Sequence, residues 1–284
     1  MTRPSHPRSG KLRALTGALV LVAGIIAFIP AASQAAVVSV ACSENALVAE
    51  INSANQTPGS DTLNLAAGCT YGLTSAHGGA GNGLPVITST IELVGTPNTI
   101  TRSSLALFRI AEVSNTGDLT LTRVTLNNGS SLGSGGGVLN SGAVTFTSSG
   151  SGLTNNTAVG TGGGLSNSDT PNGTAPAATF SGSTVSDNTA GGRGGGIYNG
   201  NRDALTMTSS VVTKNTSVLQ GGGIASNDST TSLTSTPVSV NTATLGSGGV
   251  FRSNGTMTTN TSPISANLTN NCVGSFPAVP NCTA

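Results

Sequence analysis

Residues 194–224 read GGGIYNGNRDALTMTSSVVTKNTSVLQGGGI, and this stretch decides the fold. It opens and closes on the same four residues, Gly-Gly-Gly-Ile, 27 positions apart. Between them Leu205-Thr-Met207 alternates apolar with polar, and Val212 leads to Asn215. The same unit recurs on both sides. Leu119-Thr-Leu121 leads to Val124 and Asn127, Val144-Thr-Phe146 to Leu153 and Asn156, and Ala178-Thr-Phe180 to Val185 and Asn188. Leu233-Thr-Ser235 then leads to Val238 and Asn241, and Met257-Thr-Thr259 to Ile264 and Asn267. Successive asparagines are 29, 32, 27, 26 and 26 residues apart, a near-constant period. Glycine runs keep the same beat: Gly135–Val138, Gly162–Leu165, Gly194–Ile197, Gly221–Ile224 and Gly248–Val250. In three copies an asparagine follows, at Asn140, Asn167 and Asn199.

A fixed period of this length marks a solenoid, in which each unit buries its apolar face against its neighbours. Helical repeats need apolar residues at i, i+3 and i+4 and tolerate few glycines. The alternation at period two is that of strands. The expected architecture is therefore all-β, a right-handed parallel β-helix in which each strand pairs with its equivalent one coil away. Asparagine at the same corner of successive coils can stack amide on amide and satisfy the corner's backbone groups. Asn188, Asn215 and Asn241 are accordingly expected at inward or corner positions. A flexible Gly/Asn-rich linker would not repeat its apolar residues in every copy.

Composition agrees. The chain has 40 glycines among 284 residues, 7% charged residues and no tryptophan, too few large side chains for a conventional globule of this size. At 36% hydrophobic it is also too apolar for a disordered chain.

Upstream of the repeats, Ser43 is placed to cap a short helix bearing Leu47, Val48 and Ile51, a lid for the open end of the core. Strands are expected over 62–65, 70–73, 90–94, 99–101 and 106–110, with a glycine-rich loop from His77 to Gly83. The organisation read from the sequence is an export segment over 1–35, a cap and first coils over 36–116, regular repeats over 117–270, and a closing segment over 271–284.

The export reading rests on a basic start (Arg3, Arg8, Lys11, Arg13), an apolar run from Ala14 to Ile29, and small residues at Ser33 and Ala35 before a cut at Ala36. No second apolar run is long enough to span a bilayer. Beyond this segment 7 basic residues face 10 acidic ones, which argues against nucleic acid as a partner. Cys42, Cys69, Cys272 and Cys282 permit three pairings. Local pairing, Cys42–Cys69 and Cys272–Cys282, would staple each end, whereas a metal site would lack CxxC spacing and have one histidine, His77, beyond the export segment. The expected location is extracellular, either secreted or held at the cell surface, and the expected state a monomer.

The segment Cys42…Leu47…Ile51…Asn55…Asp61-Thr62-Leu63…Cys69-Thr70-Tyr71 resembles the cap of secreted bacterial β-helix proteins of the pectin-lyase-like superfamily. The alternating Gly-Gly-Gly-Ile/Val/Leu and Val-x-x-Asn copies are similar to the repeats of chlamydial polymorphic outer-membrane proteins. Here valine or isoleucine replaces the phenylalanine of that family's FxxN, and no translocator barrel follows the repeats within the chain. The resemblance implies the fold and allows two functional classes: a non-catalytic structural, adhesive or glycan-binding role, or a polysaccharide lyase or glycoside hydrolase acting on an acidic polysaccharide. Either way the implied partner is a polysaccharide or a wall surface.

Such enzymes need paired carboxylates facing one bond, or several oxygens converging on calcium. The chain has no Asp-Asp and no Gly-His-Gly, and His77 lies outside the repeats, so no catalytic residue is assigned. Asp169 follows Leu165 by four residues, Asp203 follows Ile197 by six and Asp228 follows Ile224 by four, so all three are expected to leave the same corner of successive coils, with Arg202 and Arg252 at similar phase. They are read either as a strip for calcium or sugar or as solvated loop charges. Tyr198, the only tyrosine in the repeats, is read either as a ring for stacking on sugar or as packing between coils.

Overall fold

The computed structural model describes residue 2 and residues 35–57, 59–79, 81–168 and 175–283. The expected export segment therefore lies almost wholly outside the described residues, and so does Asp169. The unit Ser33–Ala284 is a parallel β-helix of about eight coils. Every strand pairing between its coils is parallel; Val212, for example, lies between Val185 and Val238.

A regular coil has four pieces. In the quoted stretch these are Ala204–Thr208, Val211–Thr213, Thr216–Ser217 and Ile224–Asn227. The first two belong to one wall, the third to a second wall and the fourth to a third wall. Alternation turns every second residue inward. Leu121, Phe146, Phe180, Met207 and Leu233 thus form one buried column. Within it the rings of Phe146 and Phe180 stack at 4.8 Å. Val138, Leu165, Ile197, Ile224 and Val250 form another on the third wall. Burying one such side chain stabilises the fold by about 1.5–3 kcal/mol.

The expected asparagine ladder is present. Asn156, Asn188, Asn215, Asn241 and Asn267 are buried, and each donates its Nδ2 to the Oδ1 of the next at 2.9–3.0 Å, ending on Asn271. Each Oδ1 from Asn188 on also accepts the backbone N–H of the asparagine before it. Asn127 is not part of this ladder. It pairs in register with Thr154, so the inward apolar residue of its coil is Leu126, and the ladder position is Gly129, whose N–H donates to Asn156 Oδ1 at 2.8 Å. A second ladder runs Asn140, Asn167, Asn199 at 2.7 and 2.8 Å. A third lies at the bend of the first wall, where the N–H groups of Ser183, Ser210 and Thr236 donate to the hydroxyls of Ser210, Thr236 and Ser262.

The residue before each ladder asparagine is left-handed: Asn155, Asp187, Lys214, Val240 and Ala266 have φ between 55° and 60°. Asparagine and aspartate tolerate this region, whereas a β-branched residue there is strained. Val240 is 53% exposed, so its side chain gains little from packing in return. Val240→Asn is expected to stabilise the protein by about 1 kcal/mol, seen as a rise of roughly 2–4 °C in Tm. A lower Tm would show that valine's packing outweighs its strain.

Both ends are closed. Ser43 caps the helix Glu44–Ala54, accepting the Ala46 N–H at 3.2 Å, and Leu47, Ile51 and Ala54 are buried over the first coils. Cys42 and Cys69 are bonded, as are Cys272 and Cys282. At the far end Val279 is buried, and the Thr259 hydroxyl donates to Pro280 O at 2.6 Å. The upstream strands differ from expectation in two places. Thr90–Arg102 is one continuous strand, and no strand covers 106–110; the third-wall strand there is Ala111–Val113. Residues 103–107 instead leave the wall as an excursion, held by the Arg102 guanidinium on Ser104 O, Ala106 O and Asn128 O.

Candidate functional site

Backbone bonding at the corner after the third wall fixes the sequence-predicted charges. Arg202 N–H donates to Asp228 O at 2.8 Å, and Asp228 N–H donates to Ser253 O at 2.6 Å. Arg202, Asp228 and Asn254 share left-handed backbone at this corner, with φ of 64°, 48° and 59°, and all three are exposed. Asp203 lies one position further on. Its carbonyl accepts Thr230 N–H, as Ser229's accepts Thr256 N–H, and it is 0% exposed. Asp203 and Asp228 therefore do not occupy one column. The two stand at different distances from the next strand: Asp203 directly precedes Ala204, whereas Asp228 stands two residues before its partner Thr230.

Arg252 leaves the strip as well. It pairs in register with Ser226, the continuation of the Asn199 column, and its guanidinium donates to Asn254 O and Ala278 O at 3.2 Å and to Gly255 O. It fastens the closing segment to the last coil. Among the described residues no group of three or more His, Cys, Asp or Glu side chains is placed to hold a metal ion.

Tyr198 lies in the outer column of the third wall with Leu139, Ser166, Ala225 and Phe251. It is half-buried; burial raises its phenol above the ordinary range, the Arg193 charge opposes this and the Asp203 charge reinforces it. The Arg193 guanidinium lies 5.2 Å from the centre of the Phe251 ring, and its Nε donates to Gln220 Oε1 at 2.8 Å. Tyr198 is thus part of a shelf with Arg193, Gln220 and Phe251, which reading Tyr198 alone did not disclose. The available signal was phase, because Thr161, Arg193 and Gln220 each precede a glycine triplet.

The first wall carries a more regular surface. Between inward residues, Thr120, Thr145, Thr179, Thr206, Ser232 and Thr258 stand in one outward column. Thr122, Thr147, Ser181, Thr208, Thr234 and Asn260 stand in the next. Neighbours within a column are about 4.8 Å apart and the columns about 6.6–6.8 Å apart. The hydroxyls of Thr258 and Ser232 bond at 3.1 Å, while at the other end Thr122 donates to Glu92 Oε1 at 2.9 Å. From Thr120 to Asn260 these columns hold hydroxyls and one amide, and no charge.

His77, expected as a loop or cap histidine, lies with its Nε2 2.8 Å from Glu44 Oε1. Glu44 also accepts the Thr74 hydroxyl at 2.6 Å and the Thr74 and Ser75 N–H groups, tying the start of the cap helix to the loop. Burial raises the Glu44 carboxyl, but bonds from Thr74, His77 and Ser75 outweigh it and hold the group below the ordinary range. A carboxyl depressed in this way contributes stability above its unfolded value, about 4.3, and loses it as pH falls through the folded value. Glu44→Gln is expected to melt below the parent at pH 7, with the gap closing as acid protonates the parent's carboxyl. Parallel melting curves across that range would dismiss the clasp.

Among the described residues no helix is long and apolar enough to cross a membrane. Comparison with family models, with curated proteins and with solved structures finds no match to this chain.

Proposed function

We propose that the mature chain is a secreted or surface-held solenoid with a non-catalytic adhesive role, binding a neutral polysaccharide along the threonine and serine columns of its first wall. The observation that carries this reading is the run of twelve side chains from Thr120 to Asn260, repeating with the coil and free of charge. A hydroxyl both donates and accepts, so a row of them suits a ligand that is itself a row of hydroxyls. Each contact is weak, but contacts on one rigid face add along a polymer. The two disulfides suit an oxidising compartment outside the cytoplasm.

The test is pull-down on insoluble neutral glucan and chitin, with pectate and alginate beside them. Thr145→Lys with Thr206→Lys on the first wall is expected to weaken neutral-polymer binding roughly tenfold or more. Thr157→Lys with Thr216→Lys, on the second wall, should leave it unchanged. Equal binding by both pairs would reject the first wall as the surface. Release of reducing ends or unsaturated products from any of these polymers would replace adhesion by catalysis.

A further inference from the structure

The outer edge of the first coil holds a carboxylate that the proposed function does not use. Asp61 is the first of three inward residues of the strand Ser60–Leu65, in the column continued by Ile91, Leu119 and Val144, and is 2% exposed. Its Oδ2 accepts the Thr57 hydroxyl at 2.7 Å, and its Oδ1 accepts the backbone N–H of Ala36 at 2.9 Å. The titratable groups lining the depression beside it are Asp61 from the strand and Glu50 from the cap helix, both acidic. A buried carboxylate facing only neutral donors is costly, and a cation at the same distance would relieve it. The nitrogen 2.9 Å away belongs to the residue before which the export cut is expected. Ala36 is half-buried and pinned by Thr62 N–H on its carbonyl at 2.8 Å, while Ala35 is exposed.

We propose that hydrolysis of the Ala35–Ala36 bond completes this site, the new α-ammonium of Ala36 becoming the counter-ion of buried Asp61. The inference rests on reading residues 1–35 as an export segment. In the step the oxygen of water bonds to the Ala35 carbonyl carbon and the C–N bond breaks. The Ala36 nitrogen keeps its hydrogen and takes up two protons from water and solvent, leaving a carboxylate on the released segment and an ammonium on Ala36. An export peptidase supplies the catalysis. The nitrogen need not move, because it already lies at hydrogen-bond distance from Oδ1. The pair then anchors Val37–Val40, which lies against Thr62–Leu65 at the edge of the solenoid. Maturation thereby becomes a stabilising event: the mature chain holds its first strand by an ion pair that the precursor lacks.

The test compares chains that start at Ala36 and at Ala35, each released from a fusion by a protease that leaves no extra residue. One additional alanine moves the ammonium into solvent. The Ala36 chain is expected to melt on the order of 5–10 °C higher at pH 7. Asp61→Asn should erase the difference, and acetylating the Ala36 amine gives the same readout should that variant not fold. An ammonium facing a carboxylate titrates above its ordinary value of about 7.7–8.0. Its contribution is therefore full at and below neutrality and lost as pH rises through the raised value, so the gap should close by about pH 10. Equal melting of the two chains at pH 7 overturns the ion pair. Sequencing the exported protein tests the cut separately: a start at Ala36 supports it, and any other start overturns it.

Discussion

Gly195→Ala is expected to abolish the cooperative unfolding transition, or to lower stability by more than about 4 kcal/mol where any remains. A Cβ at this position would lie 2.4 Å from both Gly222 O and Thr216 O, backbone atoms of the adjacent coil. Those atoms have nowhere to go. Gly195 N–H donates to Gly221 O at 3.0 Å, Gly196 N–H to Gly222 O at 3.0 Å and Ile197 N–H to Gly223 O at 3.0 Å. Relieving the clash means spreading two coils along the whole corner and losing these bonds together. In a solenoid each coil is stabilised chiefly by its neighbours, so a break in the middle unseats both sides. Gly182→Ala is the control. Its φ is +63°, but the nearest atom to an added Cβ is 3.7 Å away, so only the backbone conformation is penalised, by about 1 kcal/mol. Thermal and urea unfolding followed by circular dichroism would separate the two. If they melt alike, close approach of coils is not why glycine stands there.

The same residues show what the sequence disclosed and what it hid. The glycine triplets and the asparagines announce themselves by period, and the strands between them by alternation, so the coil was readable before its geometry was known. Asn127 shows the limit. Its letter and its Val124-x-x-Asn127 spacing fit the ladder, yet it lies in register with Thr154, two residues short of the ladder position, and the corner falls on Asn128-Gly129. Asp203 and Arg252 show a second limit. Phase at this corner follows distance to the next strand: Asp203 directly precedes Ala204 and is buried, whereas Asp228 stands two residues before Thr230 and is exposed. The threonine columns were visible as alternation, but that they form one uncharged face required the register. Asp61 was open to the same alternation, since it precedes Leu63 and Leu65 on the inward side. Its pairing with Ala36 joins residues 25 apart through a parallel strand, which no local pattern reveals.

Asn215→Ala is expected to cost about 3–5 kcal/mol, far more than its loss of a few atoms of apolar contact. Asn215 is 0% exposed and bonds in three directions. Its Nδ2 donates to Val185 O at 2.9 Å, to Thr213 O at 3.0 Å and to Asn241 Oδ1 at 2.9 Å. Its Oδ1 accepts the backbone N–H of Asn188 at 3.0 Å and the Asn188 Nδ2 at 2.9 Å. Alanine strands that backbone donor where water cannot reach it and takes one partner from the Asn188 amide. A buried group left unpaired costs about 1–3 kcal/mol, and a void is added where the amide stood. The ladder is continuous, so the amides polarise one another and the loss exceeds that of an isolated bond. Asn127→Ala provides the contrast. Asn127 is half-buried outside the ladder and bonds only to the hydroxyls of Thr101 and Thr154, so its loss should cost less than about 1 kcal/mol. Asn215→Asp sharpens the test. It keeps an oxygen for Asn188 but turns another toward the carbonyls of Val185 and Thr213. It should be strongly destabilised at neutral pH and recover in part as acid protonates the carboxyl and restores a donor. Hydrogen exchange in the Asn215→Ala variant should show the Asn188 amide proton losing its protection first. If Asn215→Ala and Asn127→Ala lose equal stability, the amide column is a by-product of the coil and not one of its supports.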